Sequence, residues 1–524
     1  MKVRTDILRT YQGVHTWTGI IAGLVLFIGF YAGSLTMFKH EIQQWAEPTT
    51  RPKVEPTTTN YQALIDAAIT AKPEQMAKGF DLDLLTTAAP LSWYTQGQAR
   101  GMHLDNQQQT AYLDEDQKLI ITVQAEHKLA DLIDYLHRTA GFIGEIGHDQ
   151  SGVYILGIAA GLYFLALVSG VIILLPTLAK TFFALRKEKG PSRFWLDSHN
   201  LIGVASLPFH LIIAFTVVVF AFHDLIYDGL AQFYGDKPLF ERPLAAAHAY
   251  QINDLKTIET QIIAAKSYAP GYQPIHISYN ALNSASPSAL FKMSNAAAVS
   301  RGPDTDYLAI NPYSLEILYT SYPQGEDSFW GNFTASLFSL HFGTYGGDWG
   351  RWAYFIMGLF GAFLFYSGNL LWIDKRMKKD ANKTSTHLMA KLTIGVCLGS
   401  MLAVVAVLLL AKWANLLIGN INHHYMLCYY VVFFISLACC FTLGANKASY
   451  TGLITLSILT VCLPISSVIQ GLNNLALLPY YESYSVDFIA TLFSVMFFFI
   501  AKRLKQKPIK DKVILDNKTI EFIR

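Results

Sequence analysis

Charge is scarce in this sequence. Asp, Glu, Lys and Arg make up 15% of its 524 residues, while 52% are hydrophobic. Soluble domains carry about 25% charged residues, so the composition argues against a soluble chain of this length. The formal net charge of +2 gives no electrostatic basis for binding nucleic acid. Cysteine is scarce too: Cys397, Cys428, Cys439, Cys440 and Cys462 all lie in apolar stretches of the C-terminal third. The large polar segments contain none and no pair has zinc-like flanking, which argues against a disulfide framework or a zinc site. Without C-x-x-C-H, covalent c-type haem attachment is not expected. No G-x-G-x-x-G follows a strand and no H-E-x-x-H appears, so neither a nicotinamide or flavin domain nor a zinc hydrolase is indicated.

Long apolar runs are abundant. Stretches of spanning length fall at about 15–38, 152–176, 200–223, 351–373, 392–416, 425–444, 451–471 and 486–501, which predicts about eight membrane helices. The basic start MKVRTDILRTYQGVH leads into a run too long for the apolar core of a cleaved signal peptide, so it reads as a retained first helix. Positive residues cluster before the first helix, between the second and third (Lys180 to Arg193), between the fourth and fifth (Lys375 to Lys383), and after the eighth (Lys502 to Lys507). With eight helices these segments share one side. The positive-inside rule then puts both termini in the cytoplasm.

The predicted organisation is an all-α polytopic membrane bundle with two small α+β extramembrane modules. Residues 1–38 are the first helix and 39–150 the first module. Residues 151–223 hold helices two and three, 224–348 the second module, and 349–375 helix four. Residues 376–502 are helices five to eight, and 503–524 a cytoplasmic tail. Each module opens with a helical stretch, TNYQALIDAAITAK or NDLKTIETQIIAAKSY, and continues in strand-like alternation.

The first half is duplicated. The first helix opens His15-Thr-Trp-Thr-Gly19 and the third opens His199-Asn-Leu-Ile-Gly203. Helices two and four are each preceded by Leu-His and a Gly-rich turn, and each ends in Ser-Gly. The unit of helix, external module, helix is used twice. Helices five to eight show no such echo.

Fifteen histidines are unevenly placed. An imidazole in a bilayer is costly unless it faces a partner or a cofactor. Two imidazoles from facing helices are what a six-coordinate haem iron needs. The echo of H-x-x-x-G points to a His15–His199 pair near the cytoplasmic face. His210 lies eleven residues beyond His199; on one straight helix it returns to nearly the same face after a rise of roughly 16 Å, room for a second haem. An outer pair would draw on His210, His137 and His341. His40, His223, His423 and His424 read as interfacial. His103, His127, His248, His276 and His387 read as ordinary surface residues, and His148 is undecided. Glycines on helices one, two and four leave room for a flat macrocycle, and they serve close helix packing equally well.

RTYQGVHTWTGIIAGL, the Leu-His-Arg before helix two, DSHNLIGVASLPFHLIIAFT and LHFGTYGGDWGRW…GNLLWIDKR together resemble the PepSY-associated transmembrane proteins over about residues 1–377. Some members of that family resemble inner-membrane ferrisiderophore reductases carrying b-type haem. The resemblance implies PepSY-like external modules and reduction of ferric iron at the periplasmic face. Two b-type haems are expected, held by His15, His199, His210, His137 and His341. Arg138 has no counterpart in the second repeat, where Phe342 follows His341; it serves a haem propionate or anchors to lipid headgroups. The cytoplasmic loops are too short to fold a reductase domain, so the electron donor is a quinol or a cytoplasmic reductase.

The expected function is thus electron transfer through haem b in a bacterial inner membrane to ferric chelates, ferric siderophores above all. Trp93, Tyr94, Phe329, Trp330, Tyr345 and Trp349 are candidate lining residues for the chelate, and Trp349 and Trp352 read equally as an interfacial aromatic belt. Two rivals stand beside this reading. An iron-chelate permease predicts a polar, water-filled path and no bound chromophore. A non-catalytic, membrane-tethered PepSY sensor predicts activity in the isolated external segments.

Overall fold

The computed structural model describes residues 4–46, 60–85, 89–94, 107–124, 128–147, 149–178, 185–186, 188, 190–234, 248–295, 298, 300–302, 305–321, 328–343, 345–380, 383–414, 421–473 and 484–505. In chain order, α1 (Thr5–Thr36) and α2 (Lys39–Ala46) are followed by α3 (Tyr61–Ala71), α4 (Pro73–Lys78), β1 (Gly79–Asp83), β2 (Leu91–Tyr94), β3 (Gln108–Leu113) and β4 (Leu119–Gln124). Next come α5 (Leu129–Thr139), the short strands β5 (Glu145–Ile146) and β6 (Asp149–Gln150), α6 (Ser151–Leu174), α7 (Pro191–Ala205), α8 (Leu207–Ala221) and α9 (His223–Tyr234). Then follow α10 (Ile258–Tyr268), β7 (Gln273–Asn280), β8 (Ser288–Ser294), β9 (Asp306–Ile310), β10 (Ile317–Thr320) and α11 (Ser328–Phe342). The last helices are α12 (Gly347–Lys379), α13 (Thr384–Ala414), α14 (Asn422–Leu443), α15 (Ala445–Asn473) and α16 (Tyr484–Lys505). Two compact units result.

The sheet-bearing unit takes Thr50–Glu126 and Asp224–Arg351. Its helices start where the sequence supplies caps: the Asn60 side chain accepts from the Ala63 amide, and Thr257 from the Thr260 amide. Alternating burial along β8 turns Ala289, Phe291 and Met293 into the core. The two external segments do not stand apart. Each contributes four strands, and β1 pairs antiparallel with β7, giving one sheet in the order β10-β9-β8-β7-β1-β2-β3-β4. Separately, β1 and β7 would each present an unpaired edge; joining removes both. One core spans the junction, with Phe80 stacked on Tyr279 at 4.4 Å.

The helical unit takes Met1–Thr49, His127–His223 and Trp352–Arg524. Among the described residues, seven helices are long and apolar enough to cross a bilayer, and the bent pair α7–α8 makes eight if it is one span. The chain is therefore a multi-pass membrane protein. Helix α1 packs on α5 and α6, α6 on α8, and α13 on α14 and α15.

One expectation is corrected here. The third run is not one straight helix: α7 and α8 meet at 70°. Pro208 has no N–H to give the carbonyl four residues back, and its ring crowds that carbonyl; the Ser206 hydroxyl bonds back to Ile202 O at 2.6 Å at the same break. His199 and His210 thus sit on different helices, and the same-face argument from eleven-residue spacing does not apply. His137 and His341, in the Leu-His motifs, lie near the ends of helices of their own, α5 and α11. These helices stop at left-handed residues, Ala140 and Gly141 after α5 and Gly343 after α11.

Candidate functional site

His15 lies on the face of α1 that packs against α6. Its Nδ1–H donates to the Ala166 carbonyl at 2.7 Å. One turn on, Gly170 presents no side chain; a Cβ there would meet His15 Cε1 at 3.1 Å. His199, on α7, is held the same way by α12. Its Nδ1 is 2.8 Å from Ser367 Oγ. With the Ser367 hydroxyl donating to Leu364 O at 3.2 Å, its oxygen is free to accept the imidazole proton. A Cβ on Gly368 would lie 3.5 Å from His199 Cε1. The start of α7 is anchored by Asp197, buried two residues before His199. Arg186 grips it with two bonds of 2.6 and 2.9 Å.

These two imidazoles meet. Their ring centres are 6.3 Å apart and their planes lie at 85°. With each Nδ1 carrying the proton, each Nε2 keeps its lone pair, and among the described residues neither Nε2 has a partner. Imidazole nitrogens bound to one ion at about 2.1 Å each lie about 4 Å apart, which sets the ring centres about 6 Å apart. The observed separation leaves room for both Nε2 atoms to hold one metal ion.

A second histidine level lies further along α1. The His137 Nδ1–H donates to the Gly29 carbonyl at 3.0 Å, and its ring rests on Gly33, where a Cβ would fall 2.6 Å from Nδ1. His210, on α8, packs against Phe30 at 5.6 Å between ring centres. His210 is fully buried, and neither of its nitrogens has a hydrogen-bond partner. A buried, unpaired imidazole is costly and calls for a partner. Residues 29–33 lie 14 to 18 positions beyond His15, a rise of roughly 21–27 Å. Phe30, Tyr163 and Phe365 fill the space by His210, with ring centres 4.8 to 5.7 Å apart.

The remaining candidates are placed as follows. His341 lies on α11 of the sheet-bearing unit, against Phe342 at 5.6 Å. Arg138 pairs with Asp134 one turn back on α5, at 2.8 Å. His40 bonds to Gln44, His223 bonds back to the Phe220 carbonyl, and His423 and His424 are exposed. His103, His127 and His148 lie outside the described residues, as do the side chains of Phe329 and Trp330. Trp93 is not available to a ligand: β2 alternation turns it into the sheet core, and its Nε1 donates to Gln75. Tyr345 and Trp349 are exposed. His276 departs from the surface reading. It is half-buried, with Nε2 3.8 Å from Asp81 Oδ1 and Nδ1 unpartnered. Burial, and next the Lys292 charge, push its pKa below the ordinary imidazole value, against Asp81 and Asp83. Among the described residues no three His, Cys, Asp or Glu side chains cluster as a metal site.

Sequence reasoning missed the groups that orient the inner pair: Ala166, Ser367, Gly170 and Gly368. The signal was present. The Ser-Gly ending of helices two and four marks the two repeats, and in the fold each Ser-Gly stands beside one histidine of the pair. The repeat is not exact in its chemistry. Ser367 bonds directly to His199, whereas the Ser169 hydroxyl turns back to the carbonyls of Leu165 at 2.7 Å and Ala166 at 3.0 Å, the latter also holding His15.

A family model described as the PepSY-associated TM region matches residues 12–375. The match covers well over half of the chain, and the chain belongs to this family. No curated protein gives a match.

Proposed function

We propose that this member of the PepSY-associated transmembrane family is a b-type haem electron-transfer protein that reduces ferric chelates, above all ferric siderophores. The reaction is assigned to the periplasmic face of a bacterial inner membrane, with both termini in the cytoplasm. One observation carries the reading: His15 and His199 face each other at 6.3 Å with both Nδ1 atoms already engaged. Haem iron held between them would supply a one-electron carrier inside the bundle.

The chain's own residues do the rest. Ala166 and Ser367 fix the tautomer and rotation of each ring, and accepting the Nδ1 proton makes Nε2 a stronger donor. Gly170 and Gly368 let the helices close on the rings. His210 and His137 hold the second position. Phe30, Tyr163 and Phe365 exclude water between the two levels. Reduction releases iron because Fe(II) is a softer ion than Fe(III) and binds hard oxygen chelators more weakly.

The test is an anaerobic stopped-flow experiment on the purified, dithionite-reduced protein mixed with a ferric siderophore. Reoxidation of the haem bands should coincide with Fe(II) captured by ferrozine. Reoxidation without Fe(II), or no reoxidation, would reject the proposed reaction.

A further inference from the structure

The helices beyond the family match carry an ionisable cluster. A lysine at a helix end ordinarily extends to the headgroups. Lys412, on the last turn of α13, turns inward: its Nζ donates to the Trp45 carbonyl at 2.5 Å and lies 4.4 Å from the centre of that indole ring. Trp45 Nε1, on α2, donates to Asp487 Oδ1 of α16 at 2.8 Å and to Ser467 Oγ of α15 at 3.0 Å. Ser467 donates in turn to the same carboxylate oxygen at 3.0 Å. Gln470 Nε2, one turn along α15, donates to the Lys412 carbonyl at 2.7 Å. Pro464 lies inside α15 one turn before Ser467.

Polar capacity is left over at this cluster. Among the described residues, Asp487 Oδ2 and Gln470 Oε1 have no hydrogen-bond partner, and Lys412 has N–H bonds to spare. Ionisable groups inside a membrane domain mark substrate and proton sites by default. Beside the cluster, Ile465, Val468 and Leu472 of α15 and Phe488 and Leu492 of α16 are exposed on the lipid-facing surface. A polar cluster beside an exposed apolar surface fits a ligand with a hydroxylated head and a hydrocarbon tail. Helix α2 also packs against α5, the helix of His137, where the Ala130 amide donates to Gln43 Oε1 at 3.0 Å.

We infer that Lys412, Gln470 and Asp487 bind the head of a lipid-soluble hydroquinone, which is the electron donor. The inference rests on the proposed haem function. One hydroxyl donates to Asp487 Oδ2, and the other is held by Lys412 Nζ and Gln470 Oε1. Oxidation breaks both O–H bonds and leaves the quinone. Two electrons pass one at a time to ferric haem. The proton of the hydroxyl on Asp487 passes to that carboxylate and on to water; the proton of the other hydroxyl passes to water at its own end of the ring.

The test uses full-length, haem-loaded protein and duroquinol. Duroquinol should reduce the haem of the native protein. Asp487→Asn and Lys412→Met should slow that reduction at least tenfold while leaving haem content and dithionite reduction unchanged. Full duroquinol rates in both variants would overturn the inference. A native protein that dithionite reduces and duroquinol does not would overturn it too, and would leave the haem reading standing; a protein without haem would remove both. If a variant fails to fold, a photoreactive azidoquinone on the native protein decides. Labelling of α15 or α16 that excess duroquinone displaces supports the site. Labelling elsewhere, or labelling displaced by phospholipid vesicles but not by duroquinone, overturns it.

Discussion

Ser367 holds His199 by a 2.8 Å bond from imidazole Nδ1–H to the serine oxygen, and the serine's own proton is committed to Leu364 O. In that arrangement the imidazole is the donor, the tautomer that leaves Nε2 free. An acceptor on Nδ1 strengthens Nε2 as a ligand, and losing such a partner typically costs 10- to 100-fold in metal affinity. Ser367→Ala should leave the fold intact, weaken haem retention at the inner position by roughly tenfold, and raise that haem's midpoint potential. A potentiometric titration with unchanged inner potential would show that Ser367 plays no such part.

His15→Ala and His199→Ala should each remove one haem and leave the other. The measurement is the ratio of haem to protein, by pyridine haemochrome, on the purified variants. Full haem content in both would show that the inner pair is wrong.

Gly33 is where the outer level is most sensitive. A Cβ there would fall 2.6 Å from His137 Nδ1, so Gly33→Leu must push the ring off α1. Overpacking of this kind costs about 1–3 kcal/mol. The expected result is loss of the outer haem signal with the inner one retained. If His137 is not a ligand, thermal stability falls and both signals remain.

In the sheet-bearing unit the pH dependence has a definite sign. Burial, with Lys292 beside it, lowers the pKa of His276, so the folded state binds its proton less readily than the unfolded chain. Its contribution is fully present above the unfolded value of about 6.5 and is lost as pH falls below that. Amide exchange in β1 and β7, corrected for the intrinsic rate, should speed up between pH 7.5 and pH 5. The change should shrink in His276→Gln; an equal change in that variant would assign it to other groups.

The bundle was largely legible from the sequence because hydropathy is a local property: the apolar runs mark the spans, and the H-x-x-x-G echo marks the two facing histidines. What failed was reasoning that needed geometry between elements. The His199–His210 spacing assumed a continuous helix, although Pro208 was visible between them; in the fold the proline prevailed over the apolar run. The shared sheet depends on β1 meeting β7, a pairing some two hundred residues apart that no local pattern encodes. Trp93 looked like a ligand-binding aromatic until strand alternation placed it in the core. The Ser-Gly endings were recognised as marks of duplication, but their contact with the imidazoles appears only when α1 meets α6 and α7 meets α12.

The central claim is that two histidines from facing helices hold haem. Its most direct measurement is the absorption spectrum of the detergent-purified protein from haem-replete cells, oxidised and then reduced with dithionite. The account predicts a six-coordinate, low-spin b-type spectrum. A colourless preparation would contradict it.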